Sequence, residues 1–388
     1  AVGQLLRYMT HILQIQQRDK VYGFITNINS IRFYCAKSDN DKSIVYYQSQ
    51  YFQMFDGLPK RSSSSSFFNQ INTSAPTRYF NETALKMFIR FLTMDTNFYG
   101  YTTLNINIDD YLYDDIFHIK MVLGNGATSF VYLLANNNKL INKPICSIIK
   151  ISKHDKYSKY FINEVKILEK LKTSNNSNKF DLFFENIFSY SPTGKFIFFE
   201  KRLIKLESLT LIQSKQLING IEYLYDCHII HRDIRPTNIM CDFDNKQIKL
   251  VDFGFATIFD NNEKTKKLPI EGAISFGNLK LLKFCSELPL DSSIDIHYEY
   301  ERTFDLYCAL NVIIIMSDKY IYDQFYAIKQ KQLPTYQNGM LNIYNFWLNL
   351  KEKNNVYSKL LESMDNFKES SYFNRIMNDL EKLPIFNN

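Results

Sequence analysis

The chain has 388 residues, enough for two or three domains with buried cores. Hydrophobic residues make up 45% and charged residues 22%, the balance of a soluble globular protein, and the scarcity of Gly (12) and Pro (9) argues against long disordered linkers. A net charge of +6 is too small to imply nucleic-acid binding without a concentrated basic patch, and the longest apolar run, ALNVIIIM, is far short of a membrane span.

The six cysteines, Cys35, Cys146, Cys227, Cys241, Cys285 and Cys308, form no CxxC pair and keep no metal-finger spacing with a His. They read as free thiols of a reducing compartment. No signal-peptide pattern opens the sequence, so an intracellular protein is expected. The first residue is Ala, which leaves open a fragment or a processed form. Sequons at Asn72, Asn81 and Asn175 are expected by accident in so Asn-rich a chain.

In chain order, QLLRYMTHILQIQQ carries Leu5, Met9, Ile12 and Leu13 at a helical rhythm. VYGFITNINSIRFYCAK reads as two strands joined by a turn at NINS. KRSSSSSFFNQINTSAPTRY is a polar low-complexity loop, and ETALKMFIRFLTM is another helix. From about Ile116 the texture changes. FHIKMVLGNGATSFVYLLA is strand, glycine turn and strand, and KPICSIIKISK is a third strand. YFINEVKILEKL is an amphipathic helix with Phe161, Val165 and Leu168 on one face. FDLFFENIFSY and KFIFFEKR are expected strands around SPTG. After Arg202 the pattern is mostly helical, beginning with SLTLIQSKQLINGIEYLY. The basic run EKTKKLP, with Lys264, Lys266 and Lys267, reads as a solvated loop.

Three stretches carry chemistry. LGNGATSFVYLL sets Gly124 and Gly126 between two strands, where the lack of a Cβ lets backbone N–H groups approach phosphate oxygens. Lys150 ends the next apolar strand, and Glu164 lies on the helix after it, placed to hold that lysine. HRDIRPTNIM then supplies Asp233 and Asn238, and VDFG supplies Asp252. An amide oxygen and a carboxylate on neighbouring loops are hard donors of the kind Mg²⁺ takes. Taken singly, a GxG is a hairpin turn and Lys150 or Glu164 is a surface charge; their order along the chain is what argues otherwise.

This set resembles the eukaryotic-type protein kinase family, well over 113–330 and loosely beyond. The resemblance implies an α+β, two-lobed fold with ATP bound between a small β-rich lobe and a large helical lobe. It implies that Leu123, Gly124, Gly126 and Val131 cover the nucleotide, with Ser129 where a third Gly is usual. Lys150 would contact the α- and β-phosphates and Glu164 would pair with it. Phe199 and Glu200 would lie where backbone groups meet adenine. Asp233 would be the catalytic base, Arg235 would face the γ-phosphate, and Asn238 and Asp252 would hold the metal. Arg232 is the residue that pairs with a phosphorylated activation loop, for which Thr265 is the candidate. Asp305 would be a buried acid anchoring the catalytic loop.

Three positions depart from the family pattern. Arg235 stands where Ser/Thr kinases usually carry Lys, while Pro236 favours the Ser/Thr type. EGAISFGNLKLL keeps Gly272 but has Ala273 for a usual Thr and lacks the terminal Glu of that motif, an arrangement similar to casein kinase-type sequences. Ile148 replaces the usual small residue of the adenine pocket.

The expected organisation is therefore a small α/β domain at 1–112, with a polar loop near 60–76, preceding a protein kinase-like fold at 113–388. Its small lobe would span 113–200 and its large lobe 201–388. QLLRYM and VYGFITNINSIRFY also look like the later part of a restriction-endonuclease-like fold; the acid and lysine motifs of such nucleases would lie upstream of residue 1 and are absent, so nuclease activity is unsupported. An ordinary accessory domain is the alternative. The expected ligands are ATP and Mg²⁺ and the expected partner a protein substrate, with no membrane. No nucleic acid is expected for the kinase-like part, and the question stays open for the N-terminal part. A pseudokinase-like ATP-binding scaffold is the alternative function, and a small-molecule kinase of related fold a third.

Overall fold

A computed structural model describes residues 1–16, 18, 20–38, 44–56, 79–99, 117–136, 148–174, 179–244, 246–288, 296–331, 335–367 and 371–386. They form two compact units, 1–99 with 117–125 and 130–136, and 126–129 with 148–386. The polar stretch near 60–76, the expected boundary at 112 and 113, Cys146, Asn72 and Asn175 lie outside the described residues.

In the first unit α1 (Val2–Gln16) precedes antiparallel strands β1 (Lys20–Thr26) and β2 (Ser30–Ser38); β3 (Ile44–Gln48) and β4 (Phe52–Gln53) both pair with β2. The short strands β5 (Phe55–Asp56) and β6 (Tyr79–Phe80) pair with each other ahead of α2 (Glu82–Thr93) and α3 (Thr96–Tyr99). Alternation along the strands sorts the side chains between two helices. Val21, Ile25, Tyr34 and Ala36 pack with Met9 and Leu13 of α1. Phe24, Ile31 and Phe33 pack on the opposite face with Ala84 and Phe88 of α2. Gly23 lets α1 lie close, since a Cβ there would meet Leu5 at 3.0 Å and Met9 at 3.4 Å. The antiparallel hairpin β7 (Phe117–Asn125) and β8 (Ser129–Asn136) groups with this unit except at its tip.

The second unit opens β-rich. Strand β9 (Ile148–Ser152) is followed by α4 (Ser158–Lys172), a helical turn α5 (Phe180–Phe183), β10 (Ile187–Tyr190) and β11 (Phe196–Phe199); β11 pairs with both β9 and β10. The apolar spacing of α4 lays Phe161 and Val165 against Ile197 of β11. Phe180–Phe183 was expected as part of a strand. Phe180, Phe183 and Phe184 stand at i, i+3 and i+4, so a helical turn buries all three on one side. The Lys249 ammonium then donates to the carbonyls of Asp181 and Phe184 (2.9 Å for the second).

Next come β12 (Leu203–Lys205), α6 (Leu211–Asp226), β13 (Ile229–Ile230), β14 (Ile239–Asp242), β15 (Ile248–Leu250) and β16 (Thr257–Ile258). Thr210 and Gln213 form a reciprocal cap at the start of α6, satisfying backbone donors that a helix leaves open. β17 (Thr265–Pro269) pairs with β18 (His297–Glu301) across α7 (Leu279–Ser286). The lysine-rich run read as a solvated loop is thus largely this strand. Its partner carries the compensating acids, with Lys267 opposite Glu299.

Helix α8 (Phe304–Ser317) is buried at every position from Phe304 to Met316. A helix apolar all round belongs inside a core, which explains the ALNVIIIM run. Helices α9 (Lys319–Gln330), α10 (Tyr336–Lys353), α11 (Asn355–Asp365) and α12 (Ser371–Leu380) supply Phe325, Trp347, Tyr357, Leu360 and Phe373 to the same core. No described helix is long and apolar enough to cross a membrane.

Polar bonds tie this core to the segment after Gly272. Trp347 Nε1 donates to the Ser275 carbonyl (3.0 Å), and Asn311 Nδ2 donates to the carbonyls of Phe276 (3.0 Å) and Gly277 (3.2 Å). Tyr357 donates to Asn311 Oδ1 (2.7 Å), which fixes that amide's orientation. Trp347→Ala is expected to lower stability by about 3–5 kcal/mol through cavity formation, and Trp347→Phe by about 1–3 kcal/mol through the unpaired Ser275 carbonyl. Urea unfolding midpoints check both. A Trp347→Phe variant as stable as the wild type would show that the indole N–H contributes nothing.

Candidate active site

One turn spacing on α4 generates much of the site. Tyr160, Asn163 and Glu164 stand at i, i+3 and i+4 and share a face. Glu164 is buried, and a carboxylate in that position needs a cation. Lys150 supplies it from β9, between buried Ile149 and Ile151, with Nζ 2.6 Å from Glu164 Oε2 and 2.9 Å from Asp252 Oδ1. Burial opposes the Lys150 charge, but the carboxylates of Asp252 and Glu164 outweigh it and hold the proton more tightly than water would. Burial likewise disfavours the Asp252 carboxylate, and Lys150 reverses this, leaving its pKa lowered. At Glu164 burial prevails and raises the pKa.

Asn163 clamps the turn that carries Asp252. Its Nδ2 lies within bonding reach of the carbonyls of Ala256 (2.9 Å), Gly254 (3.1 Å) and Phe253 (3.4 Å). Asp252 itself has φ 70, a backbone state that costs a non-glycine residue energy and persists only where surroundings enforce it.

The loop between β13 and β14 holds the second group. His231, Arg232 and Asp233 are all buried. The backbone N–H groups of His231 and Arg232 both donate to the Asp305 carboxylate, the second at 2.9 Å. The His231 ring is neutral, its pKa pushed down to about 4 by burial. Its Nε2 donates to the Val251 carbonyl (3.1 Å), and Nδ1 accepts from the Asp233 N–H (3.3 Å). Asp233 Oδ2 accepts from Asn238 Nδ2 (2.7 Å) and lies 3.4 Å from Arg235 Nε. Burial pushes the Asp233 carboxyl up to about 7, with Arg235 and Asn238 acting against that rise.

The β14–β15 register relates the two groups. Ile239 pairs with Leu250, and the Val251 N–H donates to the Asn238 carbonyl (3.1 Å), which sets Asn238 one residue from Asp252 across the ladder. Asn238 Nδ2 is committed to Asp233, leaving Oδ1 as the acceptor side of the amide. Among the described residues no three His, Cys, Asp or Glu side chains form a metal cage. One carboxylate and one amide oxygen are the donor set of a hard divalent cation that completes its shell with phosphate oxygens and water.

Leu123, Gly124 and Val131 lie on the β7–β8 hairpin, where Gly124 pairs with Val131. Gly126 is at the tip, its N–H donating to the Ser129 carbonyl (3.0 Å), and the Thr128 carbonyl accepts from the Lys153 N–H (2.9 Å). Neither glycine is demanded by the hairpin itself: neither has positive φ, and an added Cβ would meet nothing closer than 3.7 Å. The space a Cβ would take at either glycine leaves room for a ligand to approach the hairpin backbone. Glu200 is exposed and its N–H already donates to the Asn186 carbonyl (3.1 Å). Ile148 is buried and pairs with Phe199.

Sequence reasoning singled out Glu164 but passed over Asn163, Tyr160 and Glu271. The i, i+3, i+4 spacing on α4 was the available signal for Asn163 and Tyr160. Gly272 has φ 84 and a Cβ there would collide with the Arg232 carbonyl, so glycine is what lets this segment press against the His231–Asp233 loop.

The protein kinase domain family matches residues 117–273. A serine/threonine-protein kinase (ppk8) of Schizosaccharomyces pombe is 27% identical over 190 residues, covering 46% of this chain and 36% of the relative. Calcium-dependent protein kinase 4 of Plasmodium falciparum is 30% identical over 161 residues, 37% of this chain and 29% of the relative. An Aurora kinase of Debaryomyces hansenii is 30% identical over 172 residues, 42% and 41% of the two chains. The chain thus spans well under half the length of these curated relatives. With every element of the motif set present in this segment, residues 117–273 form a protein kinase domain of the eukaryotic type.

Proposed function

We propose that the chain is an ATP-dependent protein kinase that transfers the γ-phosphoryl group to Ser and Thr hydroxyls of a protein substrate. The observation that carries this reading is the arrangement in one unit of the Lys150–Glu164–Asp252 ion network and the Asp233–Asn238 pair, joined by the β14–β15 ladder. The relatives named above as Ser/Thr kinases support the acceptor type. In this reading 113–388 is the catalytic part, 1–112 is an accessory α/β domain, and neither membrane nor nucleic acid is involved in the reaction.

Phosphoryl transfer needs charge neutralisation and alignment more than covalent help. Lys150, held charged and immobile by two carboxylates, receives the α- and β-phosphates. Gly124 and Gly126, with no Cβ in the way, would let phosphates approach the hairpin backbone, and Leu123 and Val131 would flank the base; of Glu200 only the backbone carbonyl is left for adenine. Asn238 Oδ1 and the Asp252 carboxylate would hold Mg²⁺, which when bound neutralises phosphate charge. Asp233 accepts a hydrogen bond from the acceptor hydroxyl, aims its oxygen, and takes the proton late. Arg235, exposed at its outer end, adds positive charge on the γ-phosphoryl side.

Two measurements follow. With radiolabelled ATP and Mg²⁺, the wild type is expected to label protein on Ser or Thr, and Asp233→Asn to fall by about a hundredfold or more. A silent wild type whose melting temperature nevertheless rises with Mg·ATP would sink the proposal. The second is the pH profile. The carboxylate form of Asp233 is the working one, and burial raises its pKa to about 7 in the free protein. kcat/KM should therefore fall as pH drops through about 7, whereas the limb in kcat should lie lower because bound cation favours the carboxylate. A kcat/KM flat from about pH 5.5 to 8 would contradict this assignment.

A further inference from the structure

The resemblance led us to expect Arg232 to await a phosphorylated loop. Instead its guanidinium is buried and engaged within the chain. Nη1 donates to the Phe255 carbonyl (3.2 Å), Nη2 donates to the Pro269 carbonyl, and the group lies over the Tyr300 ring at 4.8 Å. The Glu271 Oε2 atom stands 3.7 Å from Nη2. The other oxygen, Oε1, accepts from the Tyr160 hydroxyl at 2.9 Å. Tyr160 belongs to the face of α4 that bears Asn163 and Glu164, and its ring also packs edge-on against Phe255 at 5.0 Å.

The rest of the segment is held without modification. Five residues of β17 pair with β18, and Tyr300, the ring under Arg232, is one of the β18 partners. The Thr265 hydroxyl donates to Glu299 Oε1 (2.6 Å), next to Tyr300 on β18 and by strand alternation on the opposite face. Glu271 is followed directly by Gly272, whose left-handed backbone locks the segment against the catalytic loop.

We propose that Glu271 is a positioning residue that replaces an activating phosphate: its carboxylate bridges Tyr160 of α4 to Arg232 of the catalytic loop, so the site is held in working register with no prior phosphorylation. The proposal rests on the kinase reading. A carboxylate with two partners on two different elements couples them through one charge-assisted hydrogen bond and one ion pair, the role a phosphoryl group fills elsewhere with more oxygens. Through Tyr160 it fixes the helix that carries Glu164, and through Arg232 it fixes the residue next to Asp233.

The test uses the full chain after treatment with a broad-specificity protein phosphatase, with dephosphorylation verified by intact mass, and dephosphorylated casein as acceptor. Wild type is expected to keep its rate after treatment, and Thr265→Val to match it. Glu271→Gln should lower kcat about tenfold with KM for ATP unchanged, and Glu271→Asp should recover part of that loss. Glu271→Ala leaves Arg232 and Tyr160 facing a gap, so inorganic phosphate in the assay should raise its rate, a response that a purely structural role would not give. Loss of wild-type activity on dephosphorylation, a wild-type kcat in Glu271→Gln, or no response of Glu271→Ala to phosphate would each overturn the positioning role while leaving the kinase reading intact. A wild type inactive both before and after treatment would overturn the two together.

Discussion

The site depends on a buried carboxylate. Asp305 sits at the start of a helix that is buried on every face, and burial pushes its pKa up to about 6. A charge in that position is costly unless donors surround it. The donors are two consecutive backbone N–H groups, those of His231 and Arg232. Directly after these donors the chain turns at Arg232, whose φ of 68 is a left-handed backbone state that persists only where surroundings enforce it. The strain at Arg232 is thus matched by two charge-assisted hydrogen bonds in the core of the unit.

From that anchor the remaining charges are placed in sequence. Arg232 reaches outward to the carbonyls of Phe255 and Pro269, so the turn after Asp252 and the end of β17 are referred to the same loop. Asn163 holds the first of these from the α4 side, and Glu164, one residue on, holds Lys150 against Asp252. Four elements distant in sequence are therefore fixed to one another by polar bonds inside a low-dielectric interior, where each bond is stronger and each omission more costly. The apolar core built on Trp347, Phe325 and Tyr357 supplies the support for the segment after Gly272.

How much of this the sequence discloses follows from how local each constraint is. His231, Arg232, Asp233 and Asn238, and then Asp252, are legible because the chemistry demands particular residue types a few positions apart. Helices α1, α4 and α6 are legible from apolar spacing, and the β1–β2 hairpin from alternation and its Asn-rich turn. Phe180–Phe183 misleads because four apolar residues in a row fit a buried strand or a helical turn equally, and only the Lys249 ammonium, 65 residues from Phe184, favours the turn. The β17 strand is hidden because its lysines look solvated until β18 is placed opposite, with Glu299 across from Lys267. The contact between Tyr160 and Glu271, 111 residues apart, has no local signature. Their pairing is a property of the folded chain.

The most direct measurement of this account is phosphotransfer by Asp305→Asn beside its binding of Mg·ATP. The amide keeps the shape of the carboxylate but turns a donor toward two donors. The account predicts a folded variant that still binds Mg·ATP, detected by a rise in melting temperature, with kcat reduced about a hundredfold by misplacement of Asp233. A variant with wild-type kcat would show that the catalytic loop holds its geometry without the buried carboxylate, and would contradict the account at its root.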